Sequence, residues 1–160
     1  MNEINSAKVK SNPAMYSQAI EHGGLLFVSG QVPRDQETGQ FVTGNFEAEV
    51  RSALDNAQAI VEQAGASLAD VCKVTAYLED PNLFDVFNRV YLEYFFARPL
   101  PARTTIAARL IRPEVRFEID LIAALPEPAS NRARRDRLGR QRLSRGEKAP
   151  RRSTEGVAGS

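Results

Sequence analysis

Residues Leu100 to Ile122, LPARTTIAARLIRPEVRFEIDLI, constrain the fold more than any other stretch because their chemistry alternates twice. From Arg103 to Leu110 one set of side chains is Thr104, Ile106, Ala108 and Leu110, and the other is Arg103, Thr105, Ala107 and Arg109. From Val115 to Ala123 the apolar set is Val115, Phe117, Ile119, Leu121 and Ala123, with Arg116, Glu118, Asp120 and Ile122 opposite. A period of two belongs to a half-buried strand. Pro113 cannot donate to a ladder and suits a turn from Ile111 to Glu114. The two runs therefore read as a hairpin. Pairing Leu110 with Val115 sets Ala107 against Glu118 and Thr105 against Asp120, which puts Arg103, Thr105, Glu118 and Asp120 on one polar face. A slip of one residue would flip a strand.

That face has two readings. An arginine and two carboxylates on the wet side of a sheet are ordinarily solvated charge with weak ion pairs. Alternatively, a guanidinium stands ready to grip a carboxylate, with Glu118 near enough to handle a proton or a water. Periodicity alone leaves both open.

The rest of the chain supplies the context. Short strands are expected at Lys8–Lys10 and Tyr16–His22, with a turn at Gly23-Gly24. LLFVSGQV, residues 25–32, reads as an apolar strand whose Gly30 marks a bulge or a close backbone approach. Residues 45–64 carry Val50, Ala53, Leu54, Ala57, Ile60, Val61 and Ala64 at helical spacing, and Gly65 is a stop. Asp70 to Leu78 is a further strand. A second helix begins at an Asp80 or Asn82 cap and carries Leu83, Val86, Phe87, Val90, Tyr91, Tyr94 and Phe95 as a broad apolar stripe. The order β-β-β-α-β-α-β-β implies an α+β domain with about six strands and two helices on one face of a mixed sheet. Its other face must be solvated or covered by another subunit, and the breadth of the stripe favours oligomerisation.

Charge divides the chain. Residues 1–127 hold 11 Lys and Arg against 17 Asp and Glu, and residues 128–160 hold 10 against 3, so the formal total of +1 hides an acidic domain followed by a basic segment. The latter has no aromatic residue and few large aliphatics, Leu138, Leu143 and Val157, and disorder is expected there. It reads either as a tether for nucleic acid or another acidic partner, or as a dispensable extension.

Cys72, the single cysteine, excludes an intrachain disulfide and reads as a small buried hydrophobe. No apolar run approaches membrane-spanning length and MNEINSAKVK has no secretory core, so a cytoplasmic protein without membrane association is expected. Nucleotide-binding glycine motifs, metal-ligand clusters and a Ser/His/Asp signature are all missing. His22, the one histidine, reads as a turn or surface residue, which leaves acid–base work to carboxylates, tyrosine, backbone or water.

Six segments together resemble the reactive-intermediate deaminase family, called RidA or YjgF: PAMYSQA, LLFVSGQVP, SALDNAQAIVEQAGASLADVCKVTAYLED, FNRVYLEYF, PARTTIAARL and VRFEIDLIA. The resemblance runs from about Asn5 to Ala124 and leaves the basic segment outside. It implies a chorismate-mutase-like α+β fold, assembled as a homotrimer with clefts between subunits. It also implies hydrolysis of reactive enamine and imine intermediates, of the 2-aminoacrylate and 2-iminobutanoate type, to 2-keto acids and ammonia, with no metal or organic cofactor. Arg103 matches the family arginine that binds the substrate carboxylate, and its planar fork suits that task. Glu118 matches the glutamate proposed to orient or activate water. Tyr16, Ser29, Gly30 and Asn88 match positions that line or support the cleft. Thr105 stands where typical members have a cysteine, so a thiol role is excluded and its backbone groups are what could contact the imine nitrogen. The segment ARPLP before Arg103 is about two residues shorter than in typical members. Two other functions remain open: a nucleic-acid-directed protein of ribonuclease or translation-inhibiting type working through the basic segment, and a non-catalytic trimer that holds a carboxylate ligand.

Overall fold

The computed structural model describes residues 1–11 and 14–126, of which Met1–Pro126 is one compact unit. The boundary expected at residue 127 and the basic segment 128–160 lie outside the described residues. The elements are β1 (Asn2–Ile4), β2 (Ala19–His22), β3 (Leu25–Gln31), α1 (Phe46–Gln63), β4 (Val71–Leu78), α2 (Phe84–Tyr94), β5 (Ala102–Ala107) and β6 (Phe117–Ala124). Their order is the one expected, and they build a six-stranded sheet in the sequence β1-β2-β3-β6-β4-β5. The first strand is Asn2–Ile4 rather than Lys8–Lys10, and the second begins at Ala19 rather than Tyr16.

Gly23 and Gly24 join β2 to β3 with φ of 61° and 79°, the left-handed pair that a two-residue hairpin with native twist requires. Asn45 caps α1 by accepting from the Ala48 amide at 3.1 Å. Of the residues read as its apolar stripe, Val50, Ala53, Leu54, Ala57, Ile60 and Val61 are fully buried against the sheet, while Ala64 is the half-buried cap that follows the helix. Asp80 accepts from the Asn82 amide at 2.8 Å and caps a short 3₁₀ turn, Pro81–Leu83, that leads into α2. The two helices lie together on one side. There the rings of Phe46 and Phe87 reach Phe117 of β6, with centroids 6.3 and 5.3 Å apart.

The expected hairpin does not form. β4 lies between β5 and β6, parallel to β5 and antiparallel to β6. β4, α2 and β5 form a βαβ crossover, and residues 108–116 carry the chain past the end of β4. Along that path the Ala108 amide donates to the Leu78 carbonyl at 2.8 Å and the Glu79 amide to the Arg116 carbonyl at 3.0 Å. Local alternation identifies a strand but not its neighbour, and a parallel pair requires a crossover that sequence adjacency conceals.

One ion pair fastens this path to the helical layer. Arg116 donates to both oxygens of the fully buried Glu49 carboxylate of α1, at 2.5 and 3.2 Å, and its guanidinium lies 5.5 Å from the Phe46 ring centroid. Arg116→Ala leaves a buried carboxylate uncompensated and is expected to cost about 3 kcal/mol in urea unfolding. Replacing both partners, Glu49→Leu with Arg116→Met, is expected to cost less than the single change.

Candidate functional site

The pleat of β4 sets the two faces. Arg103 and Thr105 of β5 are in register with Val74 and Ala76, both fully buried on the helical side. Glu118 and Asp120 of β6 are in register with Tyr77 and Thr75, on the side without helices. Val74 and Tyr77 are three residues apart, so their side chains leave opposite faces. Arg103 and Thr105 therefore do not share a face with Glu118 and Asp120 within one chain. This corrects the hairpin reading, and the inserted strand is its cause.

Arg103 belongs to a cluster built by α2. Its Nη2 donates to Asn88 Oδ1 at 2.8 Å, and the guanidinium carbon lies 4.6, 5.1 and 5.9 Å from the ring centroids of Tyr91, Phe87 and Phe84. Residues 84, 87, 88 and 91 follow the i, i+3, i+4, i+7 spacing of one helix face. Phe87 and Tyr91 were legible as parts of an apolar stripe, but their use as a shelf for a guanidinium was not. Cation–ring attraction and the Asn88 hydrogen bond hold the fork in one place. Arg103 enters no ion pair among the described residues, so its remaining N–H groups are available to an incoming anion. Thr105 Oγ1 is buried and has no hydrogen-bond partner among the described residues, and the same holds for the Tyr91 hydroxyl.

The second cluster lies on the opposite face. Tyr77 donates its hydroxyl to Asp120 Oδ2 at 3.0 Å. Glu118 stands beside this pair with its carboxyl raised above the usual range, first by burial and then by the charge of Asp120. β3 carries a bulge here: Val28 pairs with Leu121 and Gln31 with Ile119, so Ser29 and Gly30 together oppose Asp120. Both readings of Gly30 hold, since a Cβ at that position would collide with Glu118 Oε1. Ser29 Oγ donates to the Ser17 carbonyl at 2.7 Å and its amide to the Gln18 carbonyl at 2.9 Å, which fixes the segment that presents Tyr16. Tyr16, Ser29, Gly30 and Glu118 line one cleft of about 740 Å³.

Gln18 was not singled out from the sequence, although it organises the chain around this cleft. Its buried amide accepts from the Ser6 amide at 2.8 Å and donates to the Val9 carbonyl at 2.8 Å. A lone glutamine in a polar segment carries no periodic signal that could have revealed it. Cys72 corrects another expectation. It is exposed beside the register shift between β4 and β6, with Sγ 3.3 Å from the Ile122 carbonyl oxygen. His22 is exposed at the end of β2, as expected of a surface residue. Among the described residues no group of His, Cys, Asp and Glu is placed to hold a metal ion, and no helix is long and apolar enough to cross a membrane.

Comparison with known proteins agrees with the architecture. Residues 9–125 match the family described as endoribonuclease L-PSP. A RutC family protein from Pyrococcus abyssi is 45% identical over 108 residues, which are 68% of this chain and 84% of that protein. A protein of Dermatophagoides farinae named 2-iminobutanoate/2-iminopropanoate deaminase is 36% identical over 110 residues, 69% of this chain and 85% of the relative. The crystal structure of RidA from an Antarctic Psychrobacter superposes with a TM-score of 0.73 at 31% identity, covering 78% of this chain and 100% of that one. By matched length, by identity and by fold, the chain belongs to the L-PSP/RutC/Rid family, the RidA/YjgF proteins.

Proposed function

We propose that the protein is a hydrolytic deaminase of reactive 2-imino acids and their enamine tautomers, and that it works as a homotrimer whose clefts each combine the Arg103 cluster of one copy with the Glu118 cluster of another. The observation that carries this reading is the separation of the two clusters. Each holds half of what imine hydrolysis needs, and the sheet between them prevents one chain from applying both to one substrate. The exposed apolar side chains of the helix-free face, Phe27 and Ile106 among them, support its burial against further copies. The relative named as an imine deaminase supports the reaction class.

In this reading the free N–H groups of Arg103 take the substrate carboxylate as a bidentate pair. That anchors the C=N carbon opposite a water beside Glu118, so a chance encounter becomes a positioned one. The water oxygen bonds to the carbon as Glu118 accepts one water proton, and Glu118 then passes that proton to the former imine nitrogen. The resulting carbinolamine loses ammonia as its hydroxyl becomes the keto carbonyl. Water is consumed, and one 2-keto acid and one ammonia are formed. An enamine substrate first takes a proton at its terminal carbon to become the imine. Asn88 holds the Arg103 fork, Gly30 leaves room for the Glu118 carboxyl, and Tyr16 and Ser29 bound the cleft. The backbone at Thr105 is available to the imine nitrogen.

The test supplies imines from a pyridoxal-dependent threonine or serine dehydratase and times keto-acid release. Arg103→Ala is expected to lower kcat/KM by at least ~10²-fold, the worth of a bidentate charged pair of about 3 kcal/mol, with the fold intact by circular dichroism. Glu118→Gln is expected to lower kcat ~10²–10⁴-fold, the usual range for general-base assistance. Undiminished turnover by well-folded Arg103→Ala contradicts the reading.

The pH dependence follows from the raised carboxyl of Glu118. Activity is expected to rise as Glu118 loses its proton, along a limb above the usual carboxylate range, and Asp120→Asn is expected to move that limb to lower pH. Stability has the opposite sign, because a raised acid binds its proton more tightly folded than unfolded and so weakens the fold as pH rises through its folded pKa. Glu118→Gln is accordingly expected to melt higher than the parent at neutral pH, with the difference vanishing in acid.

A further inference from the structure

The cleft that holds Glu118 has a second pole that the hydrolysis above leaves unused. Lys10 before β2, Arg34 after β3 and Arg112 between β5 and β6 all line it. None of the three enters an ion pair among the described residues, although residues 1–127 contain more acids than bases. Arg34 is a fixed cation. Its Nη1 donates to the Gly39 carbonyl at 2.6 Å and its guanidinium carbon lies 4.1 Å from the Phe41 ring centroid, which leaves other N–H groups free.

Apolar surface from Met15, Phe41 and Leu110 also lines the cleft. On the single chain the cleft measures about 740 Å³.

Resting on the deaminase reading, we propose that this cleft favours 2-imino acids whose side chain carries a second anionic group, bound by Arg34 and Arg112 with Lys10 adding charge. The first carboxylate goes to Arg103 of the adjoining copy and the second to this cationic pole. The bonds made and broken are those of the hydrolysis already described.

The experiment uses the full chain and two imines that differ chiefly in charge, made in situ by an amino-acid oxidase from L-glutamate and from L-glutamine. Semicarbazide traps whatever imine remains, so a deaminase lowers the initial rate of semicarbazone formation. The glutamate-derived imine is expected to be favoured roughly fivefold in kcat/KM, as a partly screened charge pair allows. That advantage is expected to fall as salt rises. Arg112→Ala and, separately, Arg34→Gln are expected to reduce it while the rate on the glutamine-derived imine holds. Equal rates on the two imines, or an advantage that survives in both folded variants, overturns the proposal. Hydrolysis of the threonine- or serine-derived imine but of neither larger one also overturns the proposal, and failure on all of them overturns the deaminase reading beneath it.

Discussion

The arrangement of this domain depends on β4. Inserted between β5 and β6, it pairs parallel with one and antiparallel with the other, and its pleat decides which way every side chain of both neighbours points. Val74, Ala76 and Leu78 draw Arg103, Thr105 and Ala107 to the helical side, while Thr75 and Tyr77 leave Asp120 and Glu118 on the other. Reversing that parity would drive carboxylates beneath α1 and α2, into a layer that already holds one buried acid, Glu49, matched by Arg116. Burying further unpaired charge there would cost several kcal/mol per group.

The same parity keeps the two reactive clusters in different electrostatic settings. Arg103 lies against three rings and one amide, so its fork is held without being neutralised. Glu118 is influenced first by burial and then by Asp120, and both favour its protonated form. A guanidinium at salt-bridge distance would reverse that preference and occupy both groups. With the sheet between them, each stays available for a ligand.

The sequence revealed periodicity and composition well and revealed neighbours poorly. Strand and helix order, the glycine turn at Gly23-Gly24, the α1 stripe and the bulge at Gly30 all follow from local chemistry that acts within a few residues. The supposed hairpin failed because two alternating runs joined by a proline turn look alike whether or not a third strand separates them. The pairing of Arg103 with Glu118 on one face rested on that hairpin and failed with it. Within the candidate site, resemblance supplied residue identities that periodicity did not, while the shelf formed by Phe84, Phe87 and Tyr91 emerged only once α2 was seen against β5. Cys72 was misread for a similar reason, since a register shift beside it turns an apparently internal strand position outward.

The central claim is that one working cleft needs two copies of the chain, and subunit mixing tests it most directly. Arg103→Ala and Glu118→Gln proteins, each inactive alone, are unfolded together in equal amounts and refolded. A cleft that takes its arginine from one copy and its glutamate from the next has two intact partners in about one quarter of random trimers' clefts, so the mixture should recover about one quarter of the parent rate. A mixture whose subunits exchange, shown by mass-labelled copies in one assembly, yet which stays as inactive as its components would contradict the account.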